Sequence, residues 1–137
     1  MPSDKPNFLR PTNADARWAR GFWDGLRDRK LMAGHCRGCE ETFFPPRPRC
    51  PACLGADLGW SELSGQGSLK SWTRIRVASQ EFDAPFLLGL IELEGGVGRL
   101  SAKIMVDDEQ ELSVGMPARV GFLDPAPDLS LYCIIPE

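Results

Sequence analysis

Apolar positions recur along this chain with two different periods, and the change from one to the other divides it. From Ala14 to about Asp28, Ala14, Trp18, Phe22 and Leu26 repeat every four positions, with Ala19 and Trp23 beside them. That spacing puts them on one face of a helix, so residues 14–28 are expected to be an amphipathic α-helix with an aromatic stripe. Thr12 or Asn13 is the expected N-cap, and Asp15 suits the first turn. Gly21 and Gly25 lower helix propensity and leave room for close approach of another element. Arg17, Arg20 and Arg27 occupy a separate face.

Beyond residue 65 the period falls to two. Over Ser68–Val77, Leu69, Ser71, Thr73, Ile75 and Val77 alternate with Lys70, Trp72, Arg74 and Arg76. Gly65 and Gly67 precede this strand, where a sharp bend is expected. Phe86 to Leu93 is almost continuously apolar, which calls for a cover on both faces. Glu94-Gly95-Gly96 is a hairpin turn signal, and Val97–Val106 alternates again with Leu100, Ala102, Ile104 and Val106 inward. Asp107–Glu111 is expected to be an acidic loop. Ala118, Val120 and Phe122 form a fourth strand after Gly115-Met116-Pro117, and Leu131–Ile135 a fifth. Five short strands with glycine bends suit a small Greek-key barrel of the OB type; an open β-sandwich fragment is the alternative.

Between helix and barrel lies the chemistry. Four of the five cysteines form two knuckles, Cys36-x-x-Cys39 and Cys50-x-x-Cys53. Each pair presents two thiolates from one tight turn, and two facing turns make the closed tetrahedral S4 cage of a structural zinc. Four protein ligands leave no open position, so this metal stabilises a module and does not catalyse. The prolines of Thr42–Arg49 suit a stiff ribbon hairpin between the knuckles. Disulfides and a redox pair are the competing readings. The start Met1-Pro2-Ser3-Asp4-Lys5 shows no secretory signal, and two C-x-x-C pairs so close together are hard to explain by redox chemistry. A reducing cytoplasm is therefore expected. His35, the single histidine, abuts Cys36 and is read as outside the metal's ligands, and Cys133 as a buried small hydrophobe.

Length and charge narrow the classes further. At 137 residues the chain makes one domain or two very small ones. Residues 1–30 are read as arm and helix, 31–62 as zinc ribbon, and 63–137 as the five-stranded barrel. Residues 1–49 carry a charge of +4 and residues 50–137 a charge of −7. An acidic barrel half is a poor electrostatic footprint for nucleic acid. The longest apolar run, about Pro85 to Ile91, is too short to span a membrane. No Walker loop and no G-x-G-x-x-G follows a strand, and nothing assembles a catalytic constellation. Alone, the chain reads as a binding or scaffold subunit, with an aromatic surplus at Trp18, Phe22 and Trp23. Candidate contacts to a partner or to an anionic ligand are Arg17, Trp18, Arg20, Phe22, Trp23, Trp72, Arg74 and Arg76, with Lys70 beside them.

The chain also resembles a family of small bacterial and archaeal proteins that join a rubredoxin-like zinc ribbon to an acyl-CoA-associated OB-fold. The resemblance runs through Gly21-Phe22-Trp23-Asp24, Leu31–Cys39 and Phe44–Cys53. It continues through Trp60–Thr73 with its Ser64-Gly65-Gln66-Gly67 entry, Pro85, Ile91–Gly95 and Val114-Gly115-Met116. It implies an accessory of a thiolase-fold enzyme in which the nucleophilic cysteine belongs to the partner. Three roles are implied: bridging a thiolase to a second, synthase-like enzyme; completing an aldolase that acts on steroid side-chain CoA esters; or serving as the small subunit of a multicomponent acetyltransferase of phenolic compounds. A freestanding acyl-CoA binder is a further possibility. Glu40 stands where the family commonly has glycine after the second cysteine, and His35 precedes the first; neither removes a ligand.

Overall fold

The computed structural model describes residues 8–137, so the first seven residues of the expected arm lie outside the described part. The helix, α1, spans Arg20–Arg27 and is preceded by one 3-10 turn at Arg17–Ala19. It starts later than the periodicity suggested. Ala16 is extended (φ −72°, ψ 132°), and no side chain caps either helical start. Residues 11–16 instead form turns, with Ala14 N–H donating to the Pro11 carbonyl and Ala16 N–H to that of Asn13. Trp23 explains the early break: its indole N–H donates to the Asn13 carbonyl at 3.1 Å, folding the segment back onto the helix.

The helix ends in a Schellman motif. Lys30 N–H donates to the Gly25 carbonyl (2.8 Å) and Arg29 N–H to that of Leu26 (3.0 Å), with Arg29 at φ 62° where glycine is usual. The Arg29 side chain accounts for the exception. Its guanidinium forms a two-pronged pair with the Asp124 carboxylate and lies 5.9 Å over the Phe122 ring. The helix end is thereby tied to the far side of the barrel.

Next come β1 (Leu31–Cys36), β2 (Thr42–Phe43) and β3 (Leu58–Leu63), an antiparallel sheet in the order β2-β1-β3. The helix packs flush on it because Gly21 and Gly25 have no side chain. A Cβ on Gly21 would lie 2.4 Å from Trp60 ring atoms, and one on Gly25 would lie 2.5 Å from Met32 Cγ.

The barrel strands are β4 (Gln66–Ile75), β5 (Phe86–Leu93), β6 (Arg99–Lys103), β7 (Pro117–Ala126) and β8 (Leu129–Pro136), in the order β6-β5-β4-β7-β8. The two ends of this sheet meet only at a parallel bridge between Ile104 and Ile134, so it curls as an OB-fold does without closing fully. Gly95 and Gly96, at φ 87° and 69°, make the expected β5–β6 turn. Residues 109–111 are a 3-10 turn within the expected acidic loop, capped by the Asp108 carboxylate accepting from Gln110 N–H.

Two expectations change. The alternation of β4 breaks at a bulge between Leu69 and Ser71. Leu69 points inward, but the extra residue shifts the phase, so Trp72 packs against the core and Ser71 and Thr73 are exposed. Lys70, Trp72, Arg74 and Arg76 therefore do not form one outward row. The apolar β5 is covered on one face only: Leu87, Ile91 and Leu93 are buried, whereas Leu88 is 36% exposed.

A single core joins the modules. Phe22 and Leu26 of the helix, Leu31 and Ala33 of the ribbon, and Leu69, Ile91, Ile104 and Ile134 of the barrel belong to it. A small separate cluster, Cys36, Phe43 and Cys50 with Leu58 against it, surrounds the knuckles.

Candidate metal centre and docking face

The two knuckles are built alike. Cys36 N–H donates to the Glu41 carbonyl and Glu40 N–H to that of Cys36; Cys50 N–H donates to the Gly55 carbonyl and Leu54 N–H to that of Cys50. Both turns close through a left-handed residue, Glu40 at φ 64° and Leu54 at φ 63°. Backbone N–H groups then point at sulfur: Cys39 N–H at Cys36 Sγ (3.5 Å), Ala52 N–H at Cys50 Sγ (3.4 Å) and Gly55 N–H at Cys53 Sγ (3.4 Å). Such donors stabilise thiolate.

All four sulfurs lie within 4.8 Å of one another, with Cys36–Cys53 and Cys39–Cys50 each at 3.6 Å. Tetrahedral sulfurs on metal bonds of about 2.3 Å would stand about 3.8 Å apart, so the cage fits one structural zinc ion. As bare thiols the four are unequal. The N–H of Cys39 draws Cys36 down, and those of Cys53 and Ala52 bring Cys50 down to about 7. The Glu41 N–H pulls Cys39 the same way, but the Cys50 sulfur, burial and the other sulfurs hold it up at about 12. Sharing protons among crowded sulfurs is what a cation at their centre removes. His35 stands outside the cage, its Nδ1 3.0 Å from the Thr42 hydroxyl across the β1–β2 pair. Arg37 braces the second knuckle through Asp57 (3.0 Å) and the Leu58 carbonyl (2.9 Å).

The remaining candidates separate. Arg17, Trp18 and Arg20 are exposed at the start of the helix. Phe22 is 5% exposed and belongs to the core, so it offers little surface to a partner. Trp23 is half-buried, its ring tilted by 52° against Phe22 with centroids 4.9 Å apart and its indole N–H donating to Asn13, so it wedges the chain. Trp72 is turned to the core by the bulge and is not free to stack on a ligand. Arg74 is engaged by Glu109 at 3.2 Å, whereas Arg76 is exposed without an ion pair among the described residues.

One residue that the periodicity did not single out joins this set. Trp60 on β3 lies beside Trp18, and the two share a cleft with Arg47 and Pro48. Its signal was the bare backbone of Gly21 opposite. No helix among the described residues is long and apolar enough to cross a membrane.

A ribbon of paired C-x-x-C knuckles whose core runs on into a Greek-key barrel defines the class: a zinc-ribbon/OB-fold protein. Residues 23–59 match the ChsH2 rubredoxin-like zinc ribbon domain and residues 60–123 the ChsH2 C-terminal OB-fold domain. The chain belongs to the DUF35 family that these two domains make up. It is 32% identical to a DUF35 domain-containing scaffold protein of Pyrococcus furiosus, over 69% of this chain and 71% of that one. It is 29% identical to a probable enoyl-CoA hydratase alpha subunit of Thermomonospora curvata over 93% of its own length, but spans only 40% of that relative. A benzoylsuccinyl-CoA thiolase subunit, BbsA, of Thauera aromatica is 29% identical over 62% of this chain and 63% of its own. Among solved structures, a chain of an Ltp2-ChsH2(DUF35) aldolase superposes with a TM-score of 0.80 at 26% identity, covering 93% of this chain and 98% of that one.

Proposed function

We propose that this chain is a non-catalytic docking subunit of a thiolase-fold enzyme. In this reading the partner supplies the nucleophilic cysteine for acyl-transfer or carbon–carbon chemistry on CoA esters, and the zinc-stapled platform stabilises and bridges the components in a reducing cytoplasm. One observation carries it. Trp18 and Trp60 are 39% and 38% exposed, on a molecule whose core is complete without them. Arg47 lines the same cleft and Arg17 precedes Trp18 in the chain; both are exposed, as is Arg20, and none of the three has an ion pair among the described residues. Paired tryptophans among arginines are the composition of an interface centre, where desolvation of large rings stabilises association most.

The scaffold, thiolase-subunit and aldolase relatives support a partner of the thiolase class. The resemblance to acetyltransferases of phenolic compounds makes acetyl transfer to a phenol the first reaction to test. A second reading, an aldolase subunit, is favoured by near-complete coverage of the aldolase chain. A nucleic-acid module is disfavoured by the acidic barrel half.

Co-expression with each thiolase-fold protein of the same genome tests the proposal. One assembly is expected on size exclusion, and Trp18→Ala with Trp60→Ala should weaken it by about thirtyfold or more, as loss of a hot-spot pair does. Separate elution from every one of them would refute the reading. Assaying the assembly for acetyl transfer to a phenol and for retro-aldol cleavage of a CoA ester decides between the two reactions.

A further inference from the structure

A second feature shares no lining residue with the Trp18–Trp60 cleft. A cavity of about 560 Å³ opens where the helix, the proline corner of the ribbon and strands β4–β8 converge. Its walls are largely aromatic and aliphatic, with Trp23 from the helix, Phe44 from the ribbon, and Phe86 and Leu88 from β5. Phe86 and Leu88 lie on the face of β5 that the core leaves uncovered. The volume lies in the range of about 300–1,000 Å³ that encloses a small organic molecule, and mostly apolar walls with a few convergent polar groups are the usual make-up of such a site.

Two polar groups meet that description. Lys103 stands directly across from Leu88 in the β5–β6 register, so the two side chains share a face. Its ammonium lies 5.6 Å over the Phe86 ring and has no carboxylate partner among the described residues. Tyr132 is half-buried against the aromatic core, 5.9 Å from Phe22 between ring centroids, and lines the same cavity. Its hydroxyl has no hydrogen-bond partner among the described residues, and no buried side-chain oxygen or nitrogen among them is left unsatisfied, so the hydroxyl reaches open space. Burial pushes the Tyr132 phenol up, which keeps it a neutral donor. An ammonium and a phenolic O–H without partners among the described residues, on a cavity whose other lining side chains are apolar apart from Asn13 and Ser79, select a ligand with an apolar body and one anionic oxygen group.

We infer that this cavity is a binding site for a small amphipathic carboxylate, its apolar body against Trp23, Phe44, Phe86 and Leu88 and its carboxylate held by Lys103 and Tyr132. The site needs no partner protein, so it stands or falls apart from the docking reading.

The full-length zinc-loaded chain is titrated with octanoate, octanol and octanoyl-CoA by calorimetry, with backbone and aromatic NMR shifts followed in parallel. Octanoate is expected to bind saturably and about five- to tenfold more tightly than octanol, moving the resonances of Phe86, Leu88 and Tyr132 and leaving those of Trp18 and Trp60 in place. Lys103→Met should bring the octanoate-to-octanol ratio to within twofold of unity while octanol binding persists, which a merely structural role of Lys103 would not produce. Leu88→Trp, filling the cavity, should abolish both; because it could disturb folding, its zinc content and circular dichroism are compared with the parent, and Lys103→Met carries the test if they differ. Absence of saturable octanoate binding, equal affinity for octanol, or a preference unchanged in Lys103→Met would each overturn the inference. So would tight octanoyl-CoA binding indifferent to Lys103→Met, which would mark a thioester site instead.

Discussion

Glu40 occupies a position built for glycine, and replacing it measures how the knuckle backbone sets metal affinity. At φ 64° its N–H donates to the Cys36 carbonyl at 2.8 Å and closes the first turn of the cage. An L-residue held in this region loses roughly 1–2 kcal/mol relative to its preferred backbone. Glycine avoids that loss but gives up about 0.5–1 kcal/mol through its freer unfolded chain. Glu40→Gly should therefore stabilise the folded, metal-bound ribbon by about 0.5–1 kcal/mol. That equals a roughly two- to fivefold smaller equilibrium constant for transfer of the metal to a competing chelator, since 1.4 kcal/mol is tenfold. Chelator competition with a chromogenic zinc ligand reads the ratio directly. Glu40 also places a negative charge beside four thiolates, so its removal alone could raise affinity. Glu40→Ala separates the causes: it removes the charge and keeps the strained backbone, and should leave affinity within a factor of about two. Equal gains in Glu40→Ala and Glu40→Gly, or a loss in Glu40→Gly, would refute the backbone argument.

Other expectations follow from the same geometry. Cys50→Ser should release zinc and strip hydrogen-exchange protection from the ribbon tip around Cys36, Phe43 and Leu58, because that cluster has only three buried members, while strands of the shared core keep theirs; global loss of protection would contradict the division into two clusters. Leu26→Ala, at a fully buried residue that joins helix, ribbon and barrel, should cost about 2–5 kcal/mol in urea denaturation, and a loss below about 1 kcal/mol would deny it that place. Asp124 is held down at about 2 by the Arg29 guanidinium and the Ser130 hydroxyl. Its folded pKa is depressed, so its contribution is fully present above the ordinary carboxylate range and is lost as pH falls toward about 2. The difference in stability between the parent and Arg29→Ala should therefore shrink across that window, as followed by acid titration with NMR detection of the Asp124 carboxyl; a constant difference would exclude the pair as its source.

Most of the architecture was readable in the chain because each signal was local. The spacing within each cysteine pair, the Glu94-Gly95-Gly96 turn and the alternation of Arg99–Lys103 each depend on residues within one element, although the strand is shorter than the expected Val97–Val106. The helix start was misplaced because Trp23 reaches back to Asn13, a contact between positions ten apart that no periodicity encodes. The inward phase of β4 was misread beyond Lys70 because a bulge moves every later side chain to the opposite face, and a bulge depends on the partner strand. Of the aromatic stripe, burial kept Trp18 as a surface residue and assigned Phe22 to the core.

What the amino-acid sequence determined by itself was the metal chemistry and the order of modules, since thiolate pairs and period-two strands act over a few residues. Only the tertiary structure decided which aromatic rings are spare and which are structural. It alone placed Arg29 over Phe122 and against Asp124, Trp60 beside Trp18, and Lys103 with Tyr132 around one cavity. These are meetings of residues far apart in the chain, and they exist because burying one continuous apolar core draws helix, ribbon and barrel together.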